Sequence, residues 1–418
     1  MMPIKHAARF LNGAAFKPSD WGDTGLPILR IAQLTGKPFD NYFDGTINRG
    51  LLIRDGDLLF SWSATIDAFI WDRGDAILNQ HIFKVFPKNN ALKKYLFYVI
   101  KAHAPRWADD DAHGSTMRHI KKESLSNKVW IPDLETQKAI ADFLDCETAR
   151  IGRLIETKQR LVALLGEKRS ALISAAVTGG IDPLSGQYRT PEADGGVTNR
   201  VPIKHLFDVS RRMVLPTDFG NEPLFHYSLP AWHEHGDGIV ENATDMASGK
   251  LLLDGGEILV SKLNPEKGAV LLAEHHEIPT VCSPEFIALI PRAIDRRFAY
   301  FFMLSAPLRH QLNASVESVT NSHKRARVDR FLASKIELPN PETQKAIADF
   351  LDRETARIGQ IIDKTQQSIV LLHERRTSLI TAAVTGQMDV TALGWATANR
   401  PSAAPAPSAR SSGAPQTG

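Results

Sequence analysis

Two short segments of this 418-residue chain concentrate side chains that suit phosphate groups and the edges of nucleobases. They are HGSTMRHIKK at 113–122 and NSHKRARVDR at 321–330. Guanidinium, ammonium, imidazole and hydroxyl groups donate hydrogen bonds to phosphate oxygens and to base edges. Their recurrence in two places predicts two nucleic-acid contacts of the same kind. For each segment the alternative, a solvated charged turn, stays open.

The polar residues of these segments correspond along the chain. At an offset of 207 residues, Ser115 meets Ser322 and Arg118 meets Arg325. Weaker candidates follow short apolar runs in each half, and each of those, taken alone, is more typical of an ordinary loop. The complete set of candidate DNA contacts is Ser115, Thr116, Arg118, His119, Lys121, Ser322, His323, Lys324, Arg325, Ser61, Ser261 and Lys262.

The sequence lacks the motifs of enzymes that act on nucleic acids. It has no glycine-rich Walker loop, no GxGxxG and no NPPY or DPPY tetrapeptide of amino-methyltransferases. His275 and His276 have no cysteine partner at the spacing of a zinc site. Asp133, Glu135 and Lys138 have the residue types of a nuclease cluster, but their spacing is wrong and they fall at a helix start. We therefore expect no catalytic residue, no cofactor and no metal in this chain.

Composition limits the class of protein. The formal net charge is only +3, so a DNA-binding surface has to be local. Two cysteines, Cys146 and Cys282, do not make a disulfide framework, which is typical of a reducing compartment. The sequence has neither an apolar run of about 18 residues nor the apolar core of a signal peptide, so a cytoplasmic location is expected.

An internal repeat predicts the architecture. The segment at 135–179 recurs at 342–386 without a gap, and 30 of the 45 aligned positions are identical. A second echo places PIKH at 3–6 and again at 202–205. The chain is therefore predicted to alternate a domain and a helix twice, as two homologous halves related by a pseudo-two-fold axis.

Each copy of the repeat is predicted to form one long helix. Asp133 and Asn340 suit the N-cap, and Gly179 and Gly386 suit the C-terminal stop. Large apolar residues recur at steps of three and four, as in the seam of a coiled coil. The two helices, each roughly 65 Å long if unbroken, are expected to pack as an antiparallel coiled coil. The seam positions are Ile140, Leu144, Ile151, Leu154, Leu161, Leu165 and Leu172, then Ile347, Leu351, Ile358, Ile361, Leu372 and Leu379.

The segments between the helices are predicted to be α+β domains. Apolar runs at 58–60 and 258–260 follow glycine turns and read as strands, whereas 92–101 and 297–313 read as helices. The predicted regions are a first domain at 1–132, a helical region at 133–180, a linker at 181–201, a second domain at 202–339, a second helical region at 340–387 and a disordered tail rich in proline, alanine and serine at 388–418.

This arrangement resembles the specificity subunit of type I restriction–modification enzymes. The resemblance rests on Ile131-Pro132 before Glu135-Thr136-Gln137, and on Leu338-Pro339 before Glu342-Thr343-Gln344. Phe143-Leu144-Asp145, repeated at 350–352, and the AAVTG ending extend it. It covers about residues 1–390 and leaves the tail outside.

The resemblance implies a role and partners. Each variable domain would be a target recognition domain that reads one half of a bipartite, asymmetric site in double-stranded DNA. The paired helices would set the spacing between the half-sites and bind two methyltransferase subunits. Restriction subunits, which translocate and cleave DNA, would join these. S-adenosylmethionine, ATP and Mg would be bound by the partner subunits, and no membrane is involved.

Two other functions are compatible with parts of the pattern. A coiled-coil adaptor with two protein-binding domains explains the repeat, but it does not explain the matched basic segments. A nuclease would need the motifs that the sequence lacks. A DNA-reading subunit without catalysis of its own is therefore the prediction.

Overall fold

The protein is described by a computed structural model covering residues 1–46, 48–112, 118–189, 199–317 and 324–392. The chain divides into two compact units. Unit 1 contains the described residues of Met1–Lys158 and Gln367–Gly418, and unit 2 is made of those of Gln159–Gln366. Each unit therefore combines one variable domain with the beginning of one long helix and the end of the other.

Unit 1 mixes short strands and helices. Its helices are α1 (Ile4–Ala7), α2 (Ile31–Leu34), α3 (Lys93–Asp111) and the first part of α4 (Leu134–Val177), with 3-10 turns at Pro18–Asp20, Arg49–Leu51 and Lys122–Ser126. Its strands are β1 (Met2–Pro3), β2 (Ala8–Asn12), β3 (Leu26–Leu29), β4 (Tyr42–Phe43), β5 (Leu52–Ile53), β6 (Leu58–Ser61), β7 (Asp67–Ile70), β8 (Ala76–Leu78), β9 (Ile82–Pro87) and β10 (Lys128–Val129).

Unit 2 has the same mixture. Its strands are β11 (Asn199–Pro202), β12 (Phe207–Val209), β13 (Met213–Val214), β14 (Pro223–Tyr227), β15 (Ile239–Asn242), β16 (Lys250–Leu253), β17 (Ile258–Ser261), β18 (Val270–Leu272), β19 (Thr280–Cys282), β20 (Phe286–Pro291), β21 (Val316–Glu317), β22 (Arg325–Ala326) and β23 (Lys335–Leu338). Its helices are α5 (Leu229–His235), α6 (Arg296–Leu304), α7 (Ala306–Ala314), α8 (Val328–Ala333) and the first part of α9 (Pro341–Val384), with 3-10 turns at Ile203–His205, Pro216–Phe219, Ala243–Asp245 and Pro265–Lys267.

The two units repeat one sheet pattern, which confirms the predicted α+β class. Unit 1 has a sheet in the order β2-β9-β6-β7 and another in the order β4-β3-β8-β5. Unit 2 has the orders β12-β20-β17-β18 and β13-β16-β19-β14-β15. The run β16-β19-β14-β15 matches β5-β8-β3-β4 of unit 1, and β13 is an additional edge strand. Pairing is antiparallel except between β3 and β8 and between β14 and β19. The central strands β6 and β17 are buried at every residue, as the continuous apolar runs predicted.

Two predicted helices have different limits in the structure. The helix expected at 92–101 continues as α3 to Asp111, through Pro105. The helix expected at 297–313 is split into α6 and α7 at Ser305, whose backbone is extended. Pro307 lies in the first turn of α7, where a missing N–H costs nothing. Local periodicity placed both helices correctly but did not place their ends.

The caps of the long helices follow the prediction. The Asp133 carboxylate accepts the backbone N–H of Thr136 at 2.9 Å, and the Asn340 side-chain oxygen accepts that of Thr343 at 2.8 Å. These bonds satisfy N–H groups that have no partner within the helix. Gly179 and Gly386 have φ of 77° and 74°, a left-handed conformation that favours glycine as the stop.

The apolar stripe of the long helices is buried unevenly. In unit 1, Ile140 and Leu144 share a core with Ile380 and Val384, so the start of α4 packs in the same core as the end of α9. In unit 2, residues 173–177 of α4 share a core with 347–351 of α9. Both pairings are what an antiparallel arrangement of the helices requires. The middle of the stripe is less buried than predicted, because the seam residues Leu154, Leu161 and Ile361 are 41% to 43% exposed. Three apolar side chains of the same helices that were not predicted seam residues, Leu164, Val370 and Leu371, are 52% to 63% exposed.

Candidate nucleic-acid interface

In unit 1, the loop after β6 is joined to the segment that precedes the long helix. The backbone N–H of Ala64 donates to the carbonyl of Arg118 at 3.3 Å, and that of Ile120 donates to the carbonyl of Trp62 at 2.8 Å. Between them, Ser63 and His119 form an isolated antiparallel bridge. We call residues 61–64 and 118–121 loop pair 1.

Unit 2 contains the same construction. The backbone N–H of Asn264 donates to the carbonyl of Lys324 at 2.7 Å, and that of Ala326 donates to the carbonyl of Lys262 at 2.8 Å. Leu263 and Arg325 form the bridge. We call residues 261–264 and 324–327 loop pair 2.

The shared hydrogen-bond pattern corrects the sequence alignment by one residue. The counterpart of Arg118 is Lys324, since their carbonyls accept the equivalent bonds, and the counterpart of His119 is Arg325. The predicted match of Arg118 with Arg325 is therefore wrong. The reason is local, because a 3-10 turn follows loop pair 1 whereas helix α8 follows loop pair 2, and these differ in length.

Each loop pair holds one residue in a strained conformation. Among the described residues, Ala64 and Asn264 are the non-glycine residues with positive φ, at 56° and 47°. They occupy equivalent positions, directly after the bridge residue. This conformation costs an alanine roughly 1–2 kcal/mol, whereas asparagine adopts it more readily, and strained residues cluster at binding sites. Its occurrence at one matched position shows that the two domains build this loop with the same backbone shape.

The cations of loop pair 1 are exposed and are balanced by the end of α3. Arg118 forms an ion pair with Asp109. Lys121 is exposed, and its backbone N–H donates to Asp111 at 2.8 Å. The same carboxylate accepts the Ser124 hydroxyl at 2.6 Å. The acidic run therefore shapes this loop and leaves the Arg118 side chain at the surface.

The cations of loop pair 2 are also balanced. Arg325 lies 2.6 Å from Glu285 and its side chain is 61% exposed. Arg327 pairs with Asp329 at 2.7 Å, on the same stretch of chain. Exposed ion pairs contribute only about 0–1 kcal/mol. Exchange of the exposed Asp329 carboxylate for phosphate oxygens therefore costs little.

Not every predicted contact lies at this surface. Ser61 and Ser261 are buried, and their hydroxyls donate to the carbonyls of Ser63 at 3.3 Å and Leu263 at 2.8 Å. They close the turns from inside, so we remove them from the candidate interface. Lys262 is half-buried and at the surface of loop pair 2. Four further predicted contacts lie outside the described residues: Ser115, Thr116, Ser322 and His323.

A buried glutamine fixes each variable domain on its long helix, and the sequence reasoning missed this role. In unit 1 the Gln137 carbonyl accepts the backbone N–H of Leu92 at 2.8 Å. Its amide donates to the carbonyls of Asn90 at 2.9 Å and Pro132 at 2.8 Å. In unit 2 the Gln344 side-chain carbonyl accepts the backbone N–H of Asp295 at 2.8 Å, and its amide donates to the carbonyl of Pro339 at 2.8 Å. The available signal was that both residues belong to the identical ETQ of the repeat.

Carboxylates that lie more than one turn beyond each glutamine on the long helices attach each variable domain to its helix a second time. The Tyr98 hydroxyl donates to Asp145 at 2.7 Å, and burial raises the pKa of Tyr98 well above its usual range. In unit 2, Arg297 donates to Asp352 at 2.8 Å and to Asp349 at 2.7 Å. Two attachments at separate points along the helix fix the angle of a domain against its helix, and with it the direction in which the loop pair faces.

The described residues contain no group of histidine, cysteine, aspartate and glutamate side chains that is arranged to hold a metal ion. In the same part of the chain, no helix combines the length and the apolar character needed to cross a bilayer.

Comparison with known proteins shows which sequences are similar to this chain. A family model of the type I restriction modification DNA specificity domain matches residues 8–161 and 236–370. The chain is 24% identical over 245 residues to the type I restriction enzyme EcoBI specificity subunit of Escherichia coli. That alignment covers 58% of this chain and 49% of the relative, so the matched part spans about half the length of the curated protein.

One solved structure supports the fold, and a second matches at a lower TM-score. A chain from a study of complex assembly and conformational transition in a type I R-M system matches with a TM-score of 0.59 and 17% identity, over 93% of this chain and 100% of that chain. The HsdS subunit from Thermoanaerobacter tengcongensis matches with a TM-score of 0.46 and 17% identity, over 91% of this chain and 97% of that chain.

Proposed function

Because the chain belongs to the family of type I restriction modification DNA specificity domains, we propose that it reads a bipartite DNA site, with one half-site contacted by each unit. One observation carries the proposal. The same strained loop pair occurs in both units and presents different side chains, with Arg118 and His119 in one and Lys324 and Arg325 in the other.

The loop pairs supply both kinds of DNA contact. Exposed cations that exchange a carboxylate for phosphate fix the position of the domain, whereas a guanidinium that reaches a base edge selects guanine. Arg118, His119, Lys121, Lys262, Lys324 and Arg325 are the described members of the proposed interface. Ser115, Thr116, Ser322 and His323 join them on sequence alone. Since the two sets differ, the two half-sites differ in sequence.

The exposed middle of the long helices supports a docking role. Three predicted seam residues, Leu154, Leu161 and Ile361, are exposed, as are three further apolar side chains of the same helices, Leu164, Val370 and Leu371. Exposed apolar surface of this kind marks protein contacts. We assign this surface to two methyltransferase subunits, with restriction subunits joining the assembly. Catalysis, and with it S-adenosylmethionine, ATP and Mg, belongs to those partners, and the complex acts in the cytoplasm.

Methylation mapping tests the proposal. Long-read sequencing of the host genome is expected to show methylated adenines within a split, asymmetric motif. The motif is expected to disappear when the gene of this chain is deleted and to return on complementation. Persistence of the same methylation in the deletion strain contradicts the proposal.

A binding measurement separates DNA reading from an adaptor role. The chain in complex with its methyltransferase subunits is titrated with DNA at several salt concentrations. Affinity is expected to fall steeply as salt rises, because counterions are released from each neutralised phosphate. A complex that assembles but shows no salt-dependent DNA affinity supports the adaptor instead.

A further inference from the structure

An open cleft of about 340 Å³ lies beside loop pair 2. Its walls come from three places in unit 2: helix α5, the loop from Leu263 to Lys267, and the connection that carries Ser283 and Glu285. The volume is at the lower end of the range of about 300–1,000 Å³ that holds small organic ligands. A single nucleotide belongs to that size class.

The walls of this cleft suit a planar ring that carries a phosphate. Trp232 and Pro230 provide flat apolar surface, and the exposed Lys267 provides a cation at the rim. Aromatic side chains stack on nucleobases of any sequence, and an ammonium group attracts the adjoining phosphate. The combination of a ring surface with a rim cation distinguishes a nucleotide from a purely apolar ligand.

The cleft is continuous with the proposed DNA surface. Leu263 and Asn264 line the cleft, and the same two residues are joined to Arg325 and Lys324 in loop pair 2. A duplex held by these loops therefore lies against the mouth of the cleft.

Unit 1 shows that a ring fits against the equivalent backbone. The backbone N–H of Trp62 donates to the carbonyl of His81, as that of Lys262 donates to the carbonyl of Glu285. Trp62 and His81 therefore correspond to Lys262 and Glu285, and their rings lie 5.3 Å apart. Unit 1 thus places the rings of Trp62 and His81 where unit 2 has the side chains of Lys262 and Glu285.

Glu285 contributes an acceptor that has no partner. One carboxylate oxygen, Oε1, binds Arg325 at 2.6 Å. The other, Oε2, is enclosed and has no hydrogen-bond partner. Such groups are rare in folded proteins and costly. When a phosphate draws the exposed Arg325 side chain away, this carboxylate is free to accept a donor that enters the cleft.

We propose that the cleft receives one nucleobase that has left the DNA stack, with its ring against Trp232 and its exocyclic amino group on Glu285. The carboxylate acceptor excludes thymine, which has no exocyclic amino group, whereas adenine, cytosine and guanine all carry one. The proposal rests on the proposed function. It adds that unit 2 reads one position of its half-site by extrusion rather than along a groove.

The test uses the complex of the full chain with its methyltransferase subunits and the motif found by methylation mapping. The half-site that unit 2 reads is identified as the half of the motif in which methylation specificity changes in the Lys324→Gln variant. Duplexes are then prepared in which one nucleotide at a time in that half-site faces an abasic residue or a mismatched base. Removing the pair removes the cost of extrusion, so the duplex with the extruded base unpaired is expected to bind roughly tenfold tighter or more.

The gain has to depend on the cleft. In Trp232→Leu, which keeps apolar bulk but loses the ring, the gain at this position is expected to fall below about threefold, because base–aromatic stacking is lost. Trp232→Phe is expected to retain it. Lys267→Ala, which removes the exposed cation at the rim, is expected to reduce the same gain. The matched control is Trp21→Leu, an exposed tryptophan in unit 1 that lies outside the cleft.

A gain at the target adenine of the methyltransferase is expected in every variant and serves as the internal reference. The position of the Trp232-dependent gain tells which of the three amino-bearing bases, adenine, cytosine or guanine, enters the cleft. If no position gains affinity through Trp232 while the wild-type complex binds and methylates a split motif, the cleft assignment is wrong and the proposed function stands. If the wild-type complex does neither, both fail.

Discussion

The buried glutamine at the start of each long helix gives the sharpest prediction about the scaffold. Gln137→Leu removes three hydrogen bonds, those to the backbone of Leu92, Asn90 and Pro132. The Leu92 N–H is then buried without an acceptor, which costs about 1–3 kcal/mol, and each carbonyl loses a bond worth about 0.5–1.5 kcal/mol. The new apolar side chain offsets part of this. We expect a net loss of about 2–4 kcal/mol in the free energy of unfolding of unit 1.

The assay is equilibrium unfolding in urea, followed by circular dichroism and tryptophan fluorescence. A lower midpoint at unchanged slope reports lost stability. The control is Gln366→Leu, which makes the same exchange at an exposed helix position, where glutamine and leucine have similar helix propensities. If Gln137→Leu and Gln366→Leu unfold at the same midpoint, the glutamine does not hold the domain on the helix and the reasoning is refuted.

Three further predictions concern charge and backbone. Burial, reinforced by the nearby Arg106, lowers the pKa of His103 in the folded chain. Below about pH 6.5 the unfolded state therefore binds more protons, and the free energy of unfolding falls as pH falls. In urea titrations at several pH values, His103→Gln is expected to flatten this pH dependence, and an unchanged pH dependence contradicts the prediction. Gly179→Ala places a side chain at φ 77° with no atom near it and is expected to lower the free energy of unfolding by about 1–2 kcal/mol. Gly152→Ala, inside α4 and equally open, is expected to raise it by up to about 1 kcal/mol. Thermal melts that rank the two variants the other way contradict the role of Gly179 as a left-handed helix stop. Arg325→Ala is expected to reduce the slope of log affinity for DNA against log salt concentration by about one. The control Arg292→Ala, which removes an arginine that is also exposed and ion-paired, is expected to leave this slope unchanged. Equal slopes in the two variants contradict a phosphate contact at Arg325.

The sequence predicted the features whose causes are local. The caps at Asp133 and Asn340 and the stops at Gly179 and Gly386 depend on one or two residues each, so residue type was enough. The buried strand β6 followed from its apolar run in the same way.

The features that depend on distant parts of the chain were not predictable by these means. Gln137 binds backbone groups that lie 45 and 47 residues away in sequence, and no local pattern marks such a bond. Ser61 looked like a loop donor, yet it ends a fully buried strand and its hydroxyl faces inward. The correspondence between Arg118 in unit 1 and Lys324 in unit 2 follows only from backbone hydrogen bonds between segments that are far apart along the chain.

The claim that each unit reads its own half-site can be tested directly by methylation mapping of two matched variants, Arg118→Gln in loop pair 1 and Lys324→Gln in loop pair 2. The account predicts that each variant relaxes or weakens recognition in one half of the split motif, that the two affected halves differ, and that the spacing between them stays the same. Variants that alter the same half, or that leave both halves as in the wild type, would contradict it.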